Sequence, residues 1–160
     1  ESNDYHRMTA YEASFVKYTI NSFLSTKITF FNQLYDLINM YGCNYNTVVR
    51  AAGKDDRVGM GHTRVPGFDG KRGFGGACLP KDTKAFLRFS TFEDQNGDNH
   101  SFDLLERVLD INSDYRVQYA LDDREKVNNI TFVDFGAKNV DNGQTKEKLE
   151  DKGDGNPLDE

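Results

Sequence analysis

The chain lacks several features that mark particular classes of protein. Its 160 residues include only 2 cysteines, 3 prolines and no tryptophan. Two cysteines are too few for a disulfide framework, so a reducing compartment is expected. No stretch approaches the roughly 20 apolar residues of a membrane helix, and the charged N-terminus does not resemble a signal peptide. The sequence therefore predicts a cytoplasmic protein with no membrane partner.

An excess of positive charge is also missing. The chain has 20 Lys and Arg against 26 Asp and Glu, a net charge of −6. This balance argues against a nucleic-acid partner bound through a general basic surface, although a local basic site for a phosphate remains possible. The length fits one domain with its own core. The first residue is Glu1 rather than methionine, which suggests a piece of a larger protein, although processing would give the same start.

The longest regular pattern predicts a helix over residues 10–41, a length of roughly 48 Å at 1.5 Å per residue. Thr9 and Glu12 have the spacing of a capping box at its start, and Gly42 is expected to end it. Apolar residues recur every three or four positions. The main stripe and the residues that widen it are Leu24, Ile28, Phe31, Tyr35, Ile38, Phe15, Ile20, Phe23, Leu34, Leu37 and Tyr41. Apolar surface on more than one side suggests a subunit interface, and so a homodimer through this helix.

Lys17 and Asn21 continue the stripe toward the N-terminus of the helix. The pattern leaves two explanations open. In the first, the pair marks the point where the helix emerges into solvent, and periodicity alone favours this explanation. In the second, the two side chains point into a polar pocket.

The remaining chain predicts shorter packed helices around a glycine-rich loop, and the fold class is mainly α. Helices are expected over 47–52, 80–89 and 101–121, with Leu104, Leu105, Val108, Leu109, Ile111 and Tyr115 facing inward in the last. Residues 54–77 form a loop with seven glycines, and residues 93–100 form a polar loop. We assign 9–121 to a helical domain. Residues 122–160 contain one possible strand at 130–135 and an acidic tail expected to be disordered.

The loop ends in Gly73-Phe74-Gly75-Gly76-Ala77-Cys78-Leu79-Pro80-Lys81-Asp82. A helix that starts near Pro80 places Cys78 at its positive end, which favours negative charge on the sulfur. The pattern alone fits two interpretations equally, a reactive site or a glycine-rich turn with a buried structural cysteine. Cys43 is expected to be an inert apolar residue. His62 has no second ligand at a useful spacing, so no metal site is predicted.

Two longer runs resemble the central domain of the UDP-glucose/GDP-mannose dehydrogenase family, over about residues 9–116. The first resembles its opening helix and reads Glu12-Ala13-x3-Lys17-Tyr18-x2-Asn21-x2-Leu24-x2-Lys27-Ile28-x-Phe30-x-Asn32. The second resembles the catalytic loop. It begins with Asp56-Arg57-Val58-Gly59 and continues as His62-Thr63-x-Val65-Pro66-Gly67-x-Asp69-Gly70-x-Arg72-Gly73-Phe74-Gly75-Gly76-x-Cys78-Leu79-Pro80-Lys81-Asp82-Thr83. The resemblance is strongest to the UDP-glucose 6-dehydrogenase branch.

The resemblance implies oxidation of the C6 alcohol of UDP-glucose to the carboxylate of UDP-glucuronate with two NAD+. Cys78 matches the family nucleophile, which forms a thiohemiacetal and then a thioester. Lys17 matches the lysine that stabilises the oxyanion, and Asn21 matches the amide that hydrogen-bonds the same oxygen or a water. Asp82 matches the carboxylate that orients water and pairs with the lysine.

Other positions match contacts to the substrate. The backbone at Phe74, Gly75 and Gly76 matches the segment that contacts the sugar nucleotide. Arg57 matches an arginine that reaches the neighbouring subunit's site, which makes a homodimer functionally required. Lys81 is a further candidate for a site contact.

The chain also departs from the family pattern. It has no N-terminal Rossmann domain for NAD, no counterpart of that domain's glutamate base and no C-terminal domain, unless the 130–135 strand is its remnant; Gln33 replaces the usual glutamate. We therefore expect an excised or split part of a dehydrogenase that acts with a Rossmann-domain partner. The alternative is an inactive relic, a non-catalytic dimerisation or UDP-sugar-binding module. A hydrolase using Cys78 and His62 is a poor third interpretation.

Overall fold

This computed structural model describes residues 7–132. The regular elements in this range are five helices and one short hairpin. In chain order they are α1 (Ala10–Met40), α2 (Tyr45–Ala52), α3 (Leu79–Ser90), β1 (Phe92–Glu93), β2 (Asn99–His100), α4 (Asp103–Arg116) and α5 (Asp123–Val127). The fold is mainly α with one long helix, which confirms the predicted class. No helix in this part of the chain combines the length and apolarity that a membrane crossing requires.

The ends of α1 are set by local hydrogen bonds that the sequence signals. At the start, the Glu12 amide donates to the Thr9 hydroxyl over 3.2 Å, and the Thr9 amide donates to the Glu12 carboxylate over 2.6 Å. At the end, Gly42 adopts a φ of 68°, which favours glycine. The Cys43 amide then donates to the Ile38 carbonyl over 3.0 Å. Both ends lie within one residue of the prediction.

α1 packs against α3 and α4 through a seam of small polar side chains. Ser22, Ser25, Thr29 and Asn32 are all buried, and Ser25 is completely inaccessible to solvent. The Ser25 and Thr83 hydroxyls lie 2.8 Å apart across the α1–α3 contact. Small side chains let the two helices approach closely, and the hydroxyl pair satisfies groups that would otherwise be buried without a partner.

Apolar packing supports this seam on either side. A cluster of Phe31, Ile38, Tyr45 and Val49 joins α1 to α2, and the Tyr45 hydroxyl donates to the Thr63 carbonyl over 2.5 Å. Burial raises the pKa of Tyr45 to about 12, despite the opposing charge of Arg72. Near the start of α1, aromatic contacts join α1, α3 and the residue before α4. Their members are Phe15, Tyr18, Phe86, Phe89 and Phe102.

A second apolar face of α1 remains uncovered on the single chain. Its exposed members include Ile20, Phe23, Phe30, Leu37 and Tyr41, with exposed fractions between 49% and 73%. α1 therefore has apolar residues on a buried side and on an exposed side, as predicted from its apolar surface on more than one side.

The later part of the chain differs from the prediction in three ways. The polar loop at 93–100 is partly a hairpin, in which Phe92 pairs with His100 and Glu93 with Asn99. α4 ends at Arg116 rather than near residue 121, because the chain turns there toward α5. Leu104, predicted to face inward, is 56% exposed, whereas Leu105 and Val108 are buried.

The prediction for the last segment is only partly covered by the structure. Residues 122–130 contain α5, which was not predicted. Residues 130–132 of the expected strand are not in a strand. The rest of that strand and the expected disordered tail lie outside the described residues.

We predict that Ser25→Leu destabilises the protein by about 1–3 kcal/mol. The seam has no room for the larger side chain, and Thr83 would lose its buried partner. Urea unfolding measures the effect. Thr19→Leu, at an exposed position of the same helix, is the matched control and should change stability by less than about 0.5 kcal/mol. Equal stability of the two variants would contradict the proposed close packing.

Candidate active site

Three of the four predicted catalytic side chains meet where α1 faces the start of α3. The Asn21 amide donates to Oδ2 of Asp82 over 2.6 Å. Lys17 Nζ lies 3.3 Å from the same oxygen. Lys17 and Asn21 are one turn apart on α1, so they reach Asp82 side by side. The pair therefore shares one carboxylate partner on α3, while the Lys17 side chain stays 58% exposed to solvent.

The three groups differ in their access to solvent. The Asp82 side chain is 4% exposed, whereas that of Lys17 is 58% exposed. Water therefore screens the ion pair, which contributes little to stability. Asp82 also lies in the first turn of α3, where the helix dipole favours its negative charge. The arrangement holds a carboxylate in place and leaves the ammonium accessible to a ligand.

Cys78 is the residue immediately before α3. Its carbonyl accepts the Asp82 amide over 2.9 Å, so Cys78 and Asp82 span the first turn of the helix. Its side chain is exposed and makes no capping hydrogen bond. Cys78 is therefore not the buried structural cysteine of the alternative interpretation. Cys43 is exposed as well, contrary to the expectation of an apolar role, and it lies on the connection between α1 and α2.

Two asparagines hold the glycine-rich segment that precedes Cys78. Asn112 of α4 accepts the Phe74 amide over 2.6 Å and donates to the Phe74 carbonyl over 3.0 Å. Asn32 of α1 accepts the Gly73 amide over 3.0 Å. Gly73 has a φ of 72°, and a side chain there would overlap the Asn112 amide oxygen. Glycine is required at this position for both reasons.

Arg72 fixes the same segment to α1 and α4. Its guanidinium lies between the rings of Tyr35 and Tyr115, 4.9 and 4.5 Å from their centroids. It also donates to Asn32 and to the Asp36 carboxylate. The Tyr115 hydroxyl donates to Asp36 over 2.6 Å, and burial together with this carboxylate raises the pKa of Tyr115 to about 12.

A buried ion-pair network joins the loop to the C-terminal end of α4 and to α5. Arg116 donates to Asp69 over 2.7 Å and to Glu125 over 2.5 Å. Glu125 in turn accepts the Gly76 amide over 3.0 Å. Asn112, Arg116 and Glu125 were not identified from the sequence. One signal was present: Asp122 and Glu125 have the same capping-box spacing as Thr9 and Glu12, and they form a capping box.

The remaining predicted site residues lie apart from the Asp82 contacts. Arg57 is 90% exposed and pairs with Asp55. The turn that follows Arg57 is tied to α1 by Lys27, which donates to the Val58 and Gly59 carbonyls over 2.7 and 3.2 Å. Lys81 is exposed and lines a groove between α3 and α4. Among residues 7–132, no group of three or more His, Cys, Asp or Glu side chains is arranged to bind a metal ion.

Sequence comparison assigns the chain to a family. The family model for the UDP-glucose/GDP-mannose dehydrogenase family, central domain, matches residues 11–114. The chain therefore belongs to this family, and the match includes Lys17, Asn21, Cys78 and Asp82 but not α5.

Individual relatives support the same assignment. UDP-glucose 6-dehydrogenase TuaD of Bacillus subtilis is 34% identical over 105 residues, which cover 66% of this chain and 21% of the relative. UDP-glucose 6-dehydrogenase YwqF of the same organism is 33% identical over 101 residues, 63% of this chain and 21% of the relative. The UDP-glucose 6-dehydrogenase of Pseudomonas aeruginosa is 42% identical over 77 residues, 48% of this chain and 16% of the relative. The matched region is thus about a fifth of the length of these relatives.

We predict that Asp69→Asn destabilises the protein by about 1–3 kcal/mol at neutral pH, because it removes a partner of buried Arg116. Burial opposes the charge of Asp69, but hydrogen bonds from Arg116 and the Lys71 amide, and both positive charges, hold its pKa below the usual 3.8. A lowered pKa stabilises the folded state above pH 3.8, and this stabilisation is lost as the pH falls through the folded-state pKa.

The difference in urea stability between wild type and Asp69→Asn should therefore be constant from pH 7 to 5 and shrink below pH 3.8. Asp123→Asn serves as the control, since Asp123 has a side chain that is 97% exposed. A difference that does not change with pH would show that the Asp69 charge is not what holds Arg116.

Proposed function

We propose that this chain is the nucleophile-bearing central part of a nucleotide-sugar 6-dehydrogenase, which oxidises the C6 alcohol of UDP-glucose to the carboxylate of UDP-glucuronate. One observation carries the proposal. Lys17 and Asn21 meet a single oxygen of Asp82, one helical turn from the exposed Cys78. The names of the matched relatives support the choice of substrate.

Cys78 would act on the C6 aldehyde. Its thiolate adds to the carbonyl carbon to give a thiohemiacetal, whose later oxidation gives a thioester that water hydrolyses to the acid and the free thiol. The balanced reaction converts the alcohol, water and two NAD+ to the carboxylate, two NADH and three protons. Each of the two oxidation steps transfers one hydride to one NAD+.

The described residues do not offer a dinucleotide site. Their strands are two residues long and form an antiparallel hairpin, whereas a Rossmann fingerprint needs a strand, a glycine turn and a helix in a βαβ unit. In this proposal NAD is bound by a Rossmann-domain partner, in the cytoplasm, and residues 9–121 are the domain that carries the nucleophile.

Lys17 and Asn21 supply the electrostatic part of the chemistry. Both present N–H donors, and both are held by Asp82, so they are oriented before substrate arrives. The oxygen of the thiohemiacetal and of the later tetrahedral intermediate carries negative charge, which these donors stabilise. Asp82 has a carboxylate oriented by Asn21, and we assign to it the positioning of the hydrolytic water.

The loop offers fewer backbone donors to substrate than the sequence suggested. The Phe74 amide is taken by Asn112 and the Gly76 amide by Glu125, and Phe74 is 2% exposed. Contacts between the sugar nucleotide and the segment from Phe74 to Gly76 would therefore use its other backbone atoms. Arg57 and Lys81 remain candidates for substrate contacts, since both side chains are exposed.

The uncovered face of α1 fits a homodimer. Exposed apolar groups of this size on one helix usually mark an interface between proteins. A second copy would cover them and bring its exposed Arg57 within the assembly, as the family resemblance implies.

We predict that the purified chain sediments as a dimer at micromolar concentration and that Phe23→Lys makes it a monomer. Phe23 is 63% exposed on the uncovered face of α1, and a buried lysine charge would oppose association. Phe68→Lys is the matched control, because Phe68 is 92% exposed on the loop. A monomeric wild type, or equal dissociation by both variants, would argue against the α1 interface.

We predict that Cys78→Ser lowers acid formation from UDP-glucose by at least about 10³-fold when the chain is combined with a Rossmann part from a relative. Cys43→Ser should keep wild-type activity, since Cys43 lies at the other end of α1. NADH release and UDP-glucuronate are both measured. Equal acid production by Cys78→Ser would exclude the covalent mechanism, and no turnover by any combination would favour a non-catalytic module.

A further inference from the structure

α5 lies beyond the residues that match the family, yet it contacts the loop that carries Cys78. Its Glu125 side chain is fully buried. Oε1 accepts the Gly76 amide over 3.0 Å, and Oε2 accepts the Asp122 amide over 2.8 Å in the capping box. A single carboxylate therefore connects the start of α5 to a backbone position two residues before Cys78.

Positive charges compensate this carboxylate on both oxygens. Arg116 donates to Oε1, and Lys71 Nζ lies 3.9 Å from Oε2. The Arg116 side chain is 1% exposed and is held from the other side by Asp69. Removing one partner of such a buried pair leaves an uncompensated charge, so the partners are expected to keep one arrangement.

The two adjacent glycines make this contact possible. A side chain at Gly75 would overlap the Arg116 guanidinium and Oε1 of Glu125, and Gly76 has a φ of 76°. The space beside Gly75 is thus filled by the protein's own ion pair. This explains a glycine at position 75 through Glu125 and Arg116, without a ligand.

We propose that Glu125, oriented by Arg116, is a positioning residue that fixes the Gly76 amide and thereby the place where α3 begins at Cys78. The far side of Cys78 is fixed by the bond from the Asp82 amide and by the Ser25–Thr83 contact. Glu125 restrains the residues on the N-terminal side of Cys78 through the Gly76 amide. The proposal rests on the proposed function only in taking Cys78 as the nucleophile.

The competing explanation is that Asn32, Arg72 and Asn112 hold the loop without Glu125, and that Glu125 only fills the space beneath it. Asn112 accepts a hydrogen bond from the Phe74 amide, four residues before Cys78. Glu125 accepts one from the Gly76 amide, which is only two residues before Cys78. The two explanations differ in whether the environment of the Cys78 backbone amide changes when the Glu125 charge is removed and Asn112 is left intact.

The sequence permits a direct measurement by NMR on the full chain. Gly75 and Gly76 form the only adjacent pair of glycines, so glycine labelled with ¹³C at the carbonyl and with ¹⁵N gives a single carbonyl-to-amide correlation, that of Gly76. Labelling cysteine with ¹⁵N gives two signals, in which Cys43 is an internal reference for Cys78.

Glu125→Gln keeps the size of the side chain and removes its charge. We expect the Gly76 amide to exchange with solvent about tenfold faster or more, and its proton to move upfield as a charge-assisted bond is lost. The Cys78 signal should shift while Cys43 stays in place. Asp123→Asn, which removes an exposed charge from the same helix, should leave all three signals unchanged.

An unchanged Gly76 or Cys78 signal in Glu125→Gln would overturn the proposal, and so would a Cys43 shift as large as that of Cys78. If Glu125→Gln does not fold, Glu125→Asp replaces it, because the shorter carboxylate keeps the charge beside Arg116 and should still weaken the bond to Gly76. These signals belong to the resting protein. They test Glu125 whether or not Cys78→Ser retains acid formation, so the two proposals can fail separately.

Discussion

The close contact between α1 and α3 through small polar side chains is the constraint on which the candidate site depends. Ser25 and Thr83 touch across it, and both are completely buried. Asn21 lies one turn before Ser25, and Asp82 lies one residue before Thr83. The same approach that lets the hydroxyls meet therefore brings Asn21 within hydrogen-bonding distance of Asp82. A seam of leucines would hold the helices farther apart and leave the amide short of the carboxylate.

Polar contacts supplement the apolar packing of Phe74 and Val65 under the long loop. Arg72 and Arg116 are each engaged by carboxylates and aromatic rings, and Asn32 and Asn112 satisfy backbone groups of the glycine segment. Buried polar networks favour one geometry, because alternatives leave further charges or amides without a partner. Within residues 7–132, Arg116 Nε is the one guanidinium nitrogen of this network that is buried without a hydrogen bond. The loop that holds Cys78 is thus ordered by specific pairings, as the proposed role of Cys78 as a nucleophile would require.

The sequence predicted those parts that depend on local signals. Thr9, Glu12 and Gly42 determine the ends of α1, and the four-residue spacing of Lys17 and Asn21 places them together. The roles of Asn112, Arg116 and Glu125 depend on contacts with residues far away in the chain. An isolated arginine or glutamate is usually on the surface, so no pattern shows that these are buried. The capping-box spacing of Asp122 and Glu125 signals a helix start but not burial of Glu125. The hairpin at 92–100 was missed for a related reason, because its strands are exposed and, apart from Phe92, its residues have no apolar side chain that would signal a strand.

The single chain presents an ordered but open site. The Cys78 side chain and more than half of the Lys17 side chain are exposed, so water surrounds both groups. Electrostatic stabilisation of an oxyanion is strongest when water is excluded. For the proposed reaction, residues 7–132 would thus supply the orientation of Lys17 and Asn21 but not a dry environment for them. If the proposed reaction takes place here, whatever covers Cys78 and Lys17 would also set the strength of the stabilisation that Lys17 and Asn21 give.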